Sequence, residues 1–80
     1  MSIKKRLTEW KKESPIRKYR TQQGLSQADL ASILGVAAYT LQRWEEGAMN
    51  PGEKNISKLK EVIPEFEKKW REWKSDKPTM

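Results

Sequence analysis

The stretch Leu25–Gly47, LSQADLASILGVAAYTLQRWEEG, decides the fold. It reads as two short helices joined by a tight turn. Ser26 opens the first: with Asp29 three residues on, it forms a capping-box-like pair whose hydroxyl takes an orphan backbone N–H at the helix start. Glu or Gln is the usual third residue of such a box, so Asp29 makes a slightly weaker one. Leu25 and Leu30 stand on either side of the cap at the spacing of a hydrophobic staple. Leu30, Ala31 and Leu34 then line one apolar face. Gly35 follows, able to take positive φ without steric cost and so to stop the helix. Val36 and Leu41 repeat the staple spacing, and Gly47 closes the second helix as a left-handed cap.

A span of roughly 20 residues of helix, Gly-containing turn and helix is the sequence pattern of a helix-turn-helix. The second helix has two faces. Leu41 and Trp44 lie three apart and point one way, whereas Ala38, Tyr39, Gln42 and Arg43 lie at i, i+1, i+4 and i+5 and point the other. An apolar face pins the helix to its neighbours, and a stripe of small, aromatic, amide and guanidinium groups is left outside near its N-terminus. In a helix-turn-helix that N-terminal region enters the major groove. For an unplaced helix, an ordinary solvated face is the plainer reading of these residues. The signals around this one reverse that preference.

In register across both helices and both turns, Arg20, Gly24-Leu25-Ser26-Gln27, Leu30-Ala31, Leu34-Gly35-Val36, Thr40-Leu41, Trp44-Glu45, Gly47 and Pro51 resemble the Cro/cI-like (XRE-type) helix-turn-helix domains. The resemblance covers about residues 15–63, leaves out the first dozen residues and says little about the last fifteen. It implies an all-α, lambda-repressor-like bundle of about five helices. It also implies roles for particular residues. Arg20 pairs with Glu45 in a structural salt bridge and also touches phosphate. Gln27 bonds phosphate and supports the recognition helix, and Thr40 is placed for phosphate too. The turn-rich loop AMNPG after Gly47 often meets phosphate in that family, which makes Asn50 and Lys54 candidates; simple turn formation is an equal reading of Asn50. Tyr39, Gln42 and Arg43 become the base readers, since Arg can fork onto guanine and Gln onto adenine, each worth roughly 1–3 kcal/mol of discrimination. Tyr39 has two other uses, a phosphate bond through its hydroxyl or packing on a thymine methyl. Trp44 belongs to the core.

Two departures bear on readout. Ala37 occupies the N-cap of the recognition helix, where Ser or Thr is usual and where losing the cap costs about 1 kcal/mol. Ala38 stands where a base-reading Gln or Arg is common. Together they predict fewer direct base bonds and a larger share for methyl contacts and shape.

Working outward, Ser14-Pro15 is a start signal, with Ser as N-cap and Pro as first helical residue, for a helix to about Gln23 that turns Ile16 and Tyr19 inward. Before it, IKKRLTEWKK (3–12) sets Ile3, Leu7 and Trp10 at i, i+4 and i+7, an added short amphipathic helix with Lys and Arg around the rest. It can pack on the domain, join a partner interface or lie on a membrane; packing is preferred, since ten residues bury too little for a membrane. On the C-terminal side, Glu53 to Val62 reads as a helix with Ile56, Leu59 and Ile63 inward, broken by Pro64. Pro64 suits the first position of a last helix, Glu65 to Lys74, on which Phe66, Trp70 and Trp73 recur at i, i+4 and i+7 as core or as a dimer seam. Glu65–Lys69 and Glu67–Arg71 are oriented as stabilising i,i+4 pairs. The domain organisation expected is an N-terminal basic extension (1–13), a helix-turn-helix domain (14–74, the motif proper 26–47) and a disordered tail (75–80).

Composition bounds the function. Eighty residues allow one small domain. There is no cysteine and no histidine, which removes disulfides, thiolate metal sites and the commonest general base. No phosphate loop, metal cluster or nucleophile–base pair is present, so an enzyme is a poor reading, and neither cofactor nor metal is expected. No apolar run approaches membrane-spanning length and MSIKKRLTEW lacks the apolar core of a signal peptide, so a soluble, intracellular protein is the default. The resemblance implies a cytoplasmic, nucleoid-associated protein of a prokaryote or phage. The net charge of +6 is uneven: residues 1–20 carry eight basic and two acidic groups, 21–47 one and three, 48–80 eight and six. Basic flanks around a reading module suit phosphate on either side of a groove, although many small domains are simply basic. Family members of this length commonly bind inverted repeats as homodimers. The partner expected is therefore double-stranded DNA, and the role a small transcriptional repressor or autoregulator such as a phage control protein. The nearest rival is the antitoxin of a toxin–antitoxin operon, with a toxin as partner; a protein-interaction module using the Trp-bearing terminal helices is the reading without DNA.

Overall fold

The apolar stripes fold as helices, one per stripe. The computed structural model describes residues 3–78, and among these there is no strand. In chain order the helices are α1 (Ile3–Lys12), α2 (Pro15–Gln22), α3 (Gln27–Leu34), α4 (Ala38–Glu45), α5 (Glu53–Val62) and α6 (Phe66–Ser75). The first two residues of the expected basic extension and the last two of the expected tail lie outside the described residues.

Local chemistry sets the boundaries of the central pair. At the start of α3 the Asp29 N–H donates to Ser26 Oγ and the Ser26 N–H donates to Asp29 Oδ2, both at 3.0 Å, so the box closes reciprocally even with Asp in third place. The Ser26 backbone N–H first, and the Ser26 hydroxyl second, hold the Asp29 carboxyl below its ordinary range. Helix α3 ends where the Gly35 N–H donates to Ser32 O and the Val36 N–H to Ala31 O, with Gly35 at φ +71°. Helix α4 ends in the same way: Gly47 bonds back to Trp44 O and Ala48 to Arg43 O, the two-bond Schellman pattern.

Two boundaries differ from the sequence reading. Ser14 precedes Pro15 as expected, but its hydroxyl caps nothing; it is fully buried and has no hydrogen-bond partner. Pro64 does not begin α6. Ile63 before it is extended, as the proline ring requires, and Glu65 then takes a left-handed conformation (φ 56°, ψ 34°) as N-cap, so the helix starts at Phe66. Glu67 also reaches Lys60 on α5, at 2.8 Å, and that contact is the main cause of its lowered carboxyl pKa, with Arg71 a minor one.

The core is built from Ile16 of α2, Leu30, Ala31 and Leu34 of α3, Leu41 and Trp44 of α4, Leu59 of α5, Ile63, and Phe66, Trp70 and Trp73 of α6, joined by Trp10 of α1. Helix α4 packs on α3 and α2, and α6 packs on α5 and α2. Ile3 and Leu7 of α1 are half-buried, so Trp10 is its anchor. The Trp10 and Trp73 rings stack at 4.0 Å within 4° of parallel. Each indole N–H donates to the other residue's carbonyl at 2.7 Å. Both rings press on Gly47, where a Cβ would overlap Trp10 and come within 3.2 Å of Trp73. Lys74 Nζ donates to Gly47 O at 3.1 Å, and its partial burial lowers its pKa. The two terminal helices thus close on the end of α4.

Candidate nucleic-acid interface

Helix α4 is amphipathic in the literal sense that its faces have separate fates. Leu41, Trp44 and Glu45 are buried, which fixes the helix in rotation and depth. Ala38, Tyr39 and Gln42 are exposed, and Thr40 and Arg43 are half-buried. Tyr39 is a large aromatic that is 66% exposed. The Arg43 guanidinium carbon lies 5.8 Å from the centroid of the Tyr39 ring, so the two side chains form a cation–π pair. Gln42 Nε2 donates to Glu46 Oε1 at 3.1 Å. The stripe of Ala38, Tyr39, Gln42 and Arg43 is therefore an outward face on which the two polar candidates, Gln42 and Arg43, each have a local support.

The start of α4 is open. Ala37 sits at the N-cap in extended conformation and provides no side-chain bond to the first amides of the helix. Val36, half-buried, packs against the core and steers the chain into the helix.

Beneath α4, Glu45 ties the motif together. Its carboxylate is 5% exposed and accepts from Arg20 Nε at 2.9 Å, from Arg20 Nη2 at 3.1 Å and from Gln27 Nε2 at 3.4 Å. Arg20 Nη1 also donates to Leu25 O at 3.0 Å. One carboxylate thus joins α2, the turn after it, the start of α3 and the end of α4. Three of the guanidinium's five N–H groups point into this network. Gln27 is half-buried, and its amide nitrogen faces Glu45.

The other candidates lie apart from this network. Asn50 is exposed in the loop after α4, and Lys54 is exposed in the first turn of α5, whose N-cap Gly52 has no side chain to bond the helix amides. Phe66, Trp70 and Trp73 are core residues within this chain, each less than a tenth exposed. A groove lined by Trp10, Pro15, Tyr19, Pro64 and Trp73 among others runs between α1, α2 and α6, and no residue of α3 or α4 lines it. Sequence reasoning missed Glu46. The available signal was its position four residues after Gln42, within reach on a helix surface.

A protein-family model described as a helix-turn-helix matches residues 16–64. Neither the search of curated proteins nor that of solved structures returned a match. The matched span runs from the second residue of α2 through α5 and leaves α1 and α6 outside it.

Proposed function

The chain belongs to the Cro/cI-like (XRE-type) helix-turn-helix family of DNA-binding transcription regulators, and on that premise we propose that it is a small repressor or autoregulator that reads double-stranded DNA through α4. The observation that carries this reading is the division of α4: Leu41, Trp44 and Glu45 lock it in place while Ala38, Tyr39, Gln42 and Arg43 stand outside. Arg43 forks onto guanine, Gln42 onto adenine, and Ala38 and Tyr39 supply apolar contact to thymine methyls. Thr40, Asn50 and Lys54 hold the phosphates, with Gln27 and Arg20 at the inner edge of that set. Two copies bind an inverted repeat with half-sites about one helical turn apart, since a single module makes a modest interface. The setting is the nucleoid of a prokaryotic cell or a phage genome within it.

Selection of bound sequences from random duplex DNA at two salt concentrations tests the proposal. A symmetric motif with half-sites one turn apart supports it. Binding that disappears at moderate salt with no enriched motif leaves only phosphate attraction and removes the reading.

A further inference from the structure

We infer that Glu46 is a specificity-determining residue: it fixes the orientation of the Gln42 amide and so makes that side chain select adenine over guanine. The inference rests on the proposed reading of DNA by α4.

A glutamine amide is ambiguous. Its oxygen accepts and its nitrogen donates, and rotation by half a turn about the last side-chain bond exchanges them at little cost. Adenine offers an N7 acceptor beside an N6 amino donor, whereas guanine offers N7 beside an O6 acceptor. An amide that presents Oε1 to the six-position bonds adenine and meets guanine oxygen to oxygen. An amide free to rotate turns Nε2 to guanine O6 and accepts both purines.

In this chain the amide is not free. Gln42 Nε2 donates to Glu46 Oε1 at 3.1 Å, one turn further along α4. Glu46 is itself held: it caps the helix, its N–H donates to Gln42 O at 3.0 Å, and its side chain is only half-exposed. A carboxylate accepts and never donates, so it bonds only the nitrogen end of the amide. The Gln42 oxygen is thereby turned away from Glu46, and the second N–H remains for N7. This is the donor–acceptor pair that adenine complements. The adjacent Arg43 is steadied separately, against the Tyr39 ring, so the two readers are set by different neighbours. Glu46 also adds a negative charge beside a phosphate-facing surface, which opposes binding of any sequence evenly. The two effects of Glu46 are separable.

The test compares native protein, Glu46→Ala, Glu46→Gln and Gln42→Ala in selection from random duplex DNA, followed by titration of duplexes that differ only in adenine or guanine at the selected pair. Glu46→Gln removes the charge and offers a donor as well as an acceptor, so it no longer selects which end of the Gln42 amide it bonds; Glu46→Ala removes the partner altogether. Both variants should bind all duplexes more tightly. Both variants should also reduce the adenine-over-guanine ratio, by about tenfold in Glu46→Ala, and neither should have such an effect when Gln42 is already alanine. An unchanged ratio in Glu46→Ala overturns the inference, as does a fall of the same size when Gln42 is already alanine, which would assign the effect to charge rather than to the amide. A selected motif that survives Gln42→Ala intact overturns it by removing Gln42 from the readers. If native protein enriches no motif at all, the DNA-reading proposal itself fails, which the Glu46 variants alone could not bring about.

Discussion

Trp10 and Trp73 hold one another by a symmetric exchange: each indole N–H donates to the other's backbone carbonyl at 2.7 Å while the rings stack at 4.0 Å. Sixty-three residues separate them, and the stack rests on Gly47 at the end of α4. The arrangement joins α1 and α6 to the helix that carries the outward stripe.

Gly47→Ala therefore meets two obstacles at once. The φ of +72° costs an L-residue about 1 kcal/mol or more, and the new methyl overlaps the Trp10 ring. Trp10→Ala should cost about 3–5 kcal/mol in the native background, by loss of a buried aromatic. In the Gly47→Ala background, where the ring has already been displaced, the same change should cost much less. Urea denaturation of the four proteins gives the coupling, and strict additivity would show that Gly47 and the stack do not depend on one another.

Arg20 and Glu45 form the inner pair of the motif, with the carboxylate almost wholly buried. Arg20→Ala strands that charge, and a loss of about 3 kcal/mol is expected. Arg20→Lys should rescue little, because an ammonium cannot reproduce the two-pronged contact to Glu45 together with the bond to Leu25 O. Full rescue by lysine would reduce the pair to simple charge attraction.

Glu65 enters α6 through a left-handed conformation that favours glycine. Glu65→Gly should stabilise the fold by about 0.5–1 kcal/mol, after allowance for the freer unfolded chain. A melting temperature that falls instead would mean that the glutamate side chain contributes more than its backbone conformation costs.

The capping box should register as a pH effect. Asp29 is held below its ordinary value of 3.8 by the Ser26 bonds. A depressed carboxyl pKa contributes stability that is present above the unfolded value and is lost as pH falls through the folded one. Native protein should therefore exceed Asp29→Ala in stability at neutral pH, and the gap should narrow in acid below 3.8. A gap that is constant with pH would show that the box acts without the charge.

Much of this architecture is legible in the sequence. Ser26 with Asp29, Gly35 and Gly47 mark the ends of α3 and α4, and the interval between Leu41 and Trp44 fixes which side of α4 is buried, because each signal is local and acts within one or two turns. What the sequence conceals is tertiary. Periodicity places Trp10 and Trp73 on inward faces, but their mutual hydrogen bonds depend on how two helices cross. Glu67 has Arg71 in sequence reach and also finds Lys60 on another helix. Ser14 has the right identity for a cap, yet burial turns its hydroxyl to no partner. At the interface, the outward stripe follows from helical spacing, whereas the support of Gln42 by Glu46 depends on two rotamers that spacing permits without requiring.

The most direct test of α4 as a reader is the affinity of Arg43→Ala for its selected duplex and for a scrambled duplex of equal length. Arg43 lies on the outward stripe, stacked on Tyr39, and takes no part in the core. The account expects melting behaviour close to native, a loss of about 1–3 kcal/mol on the selected duplex and a much smaller loss on the scrambled one. Equal losses on both duplexes would make Arg43 a phosphate contact, and no loss on either would place the reading surface elsewhere.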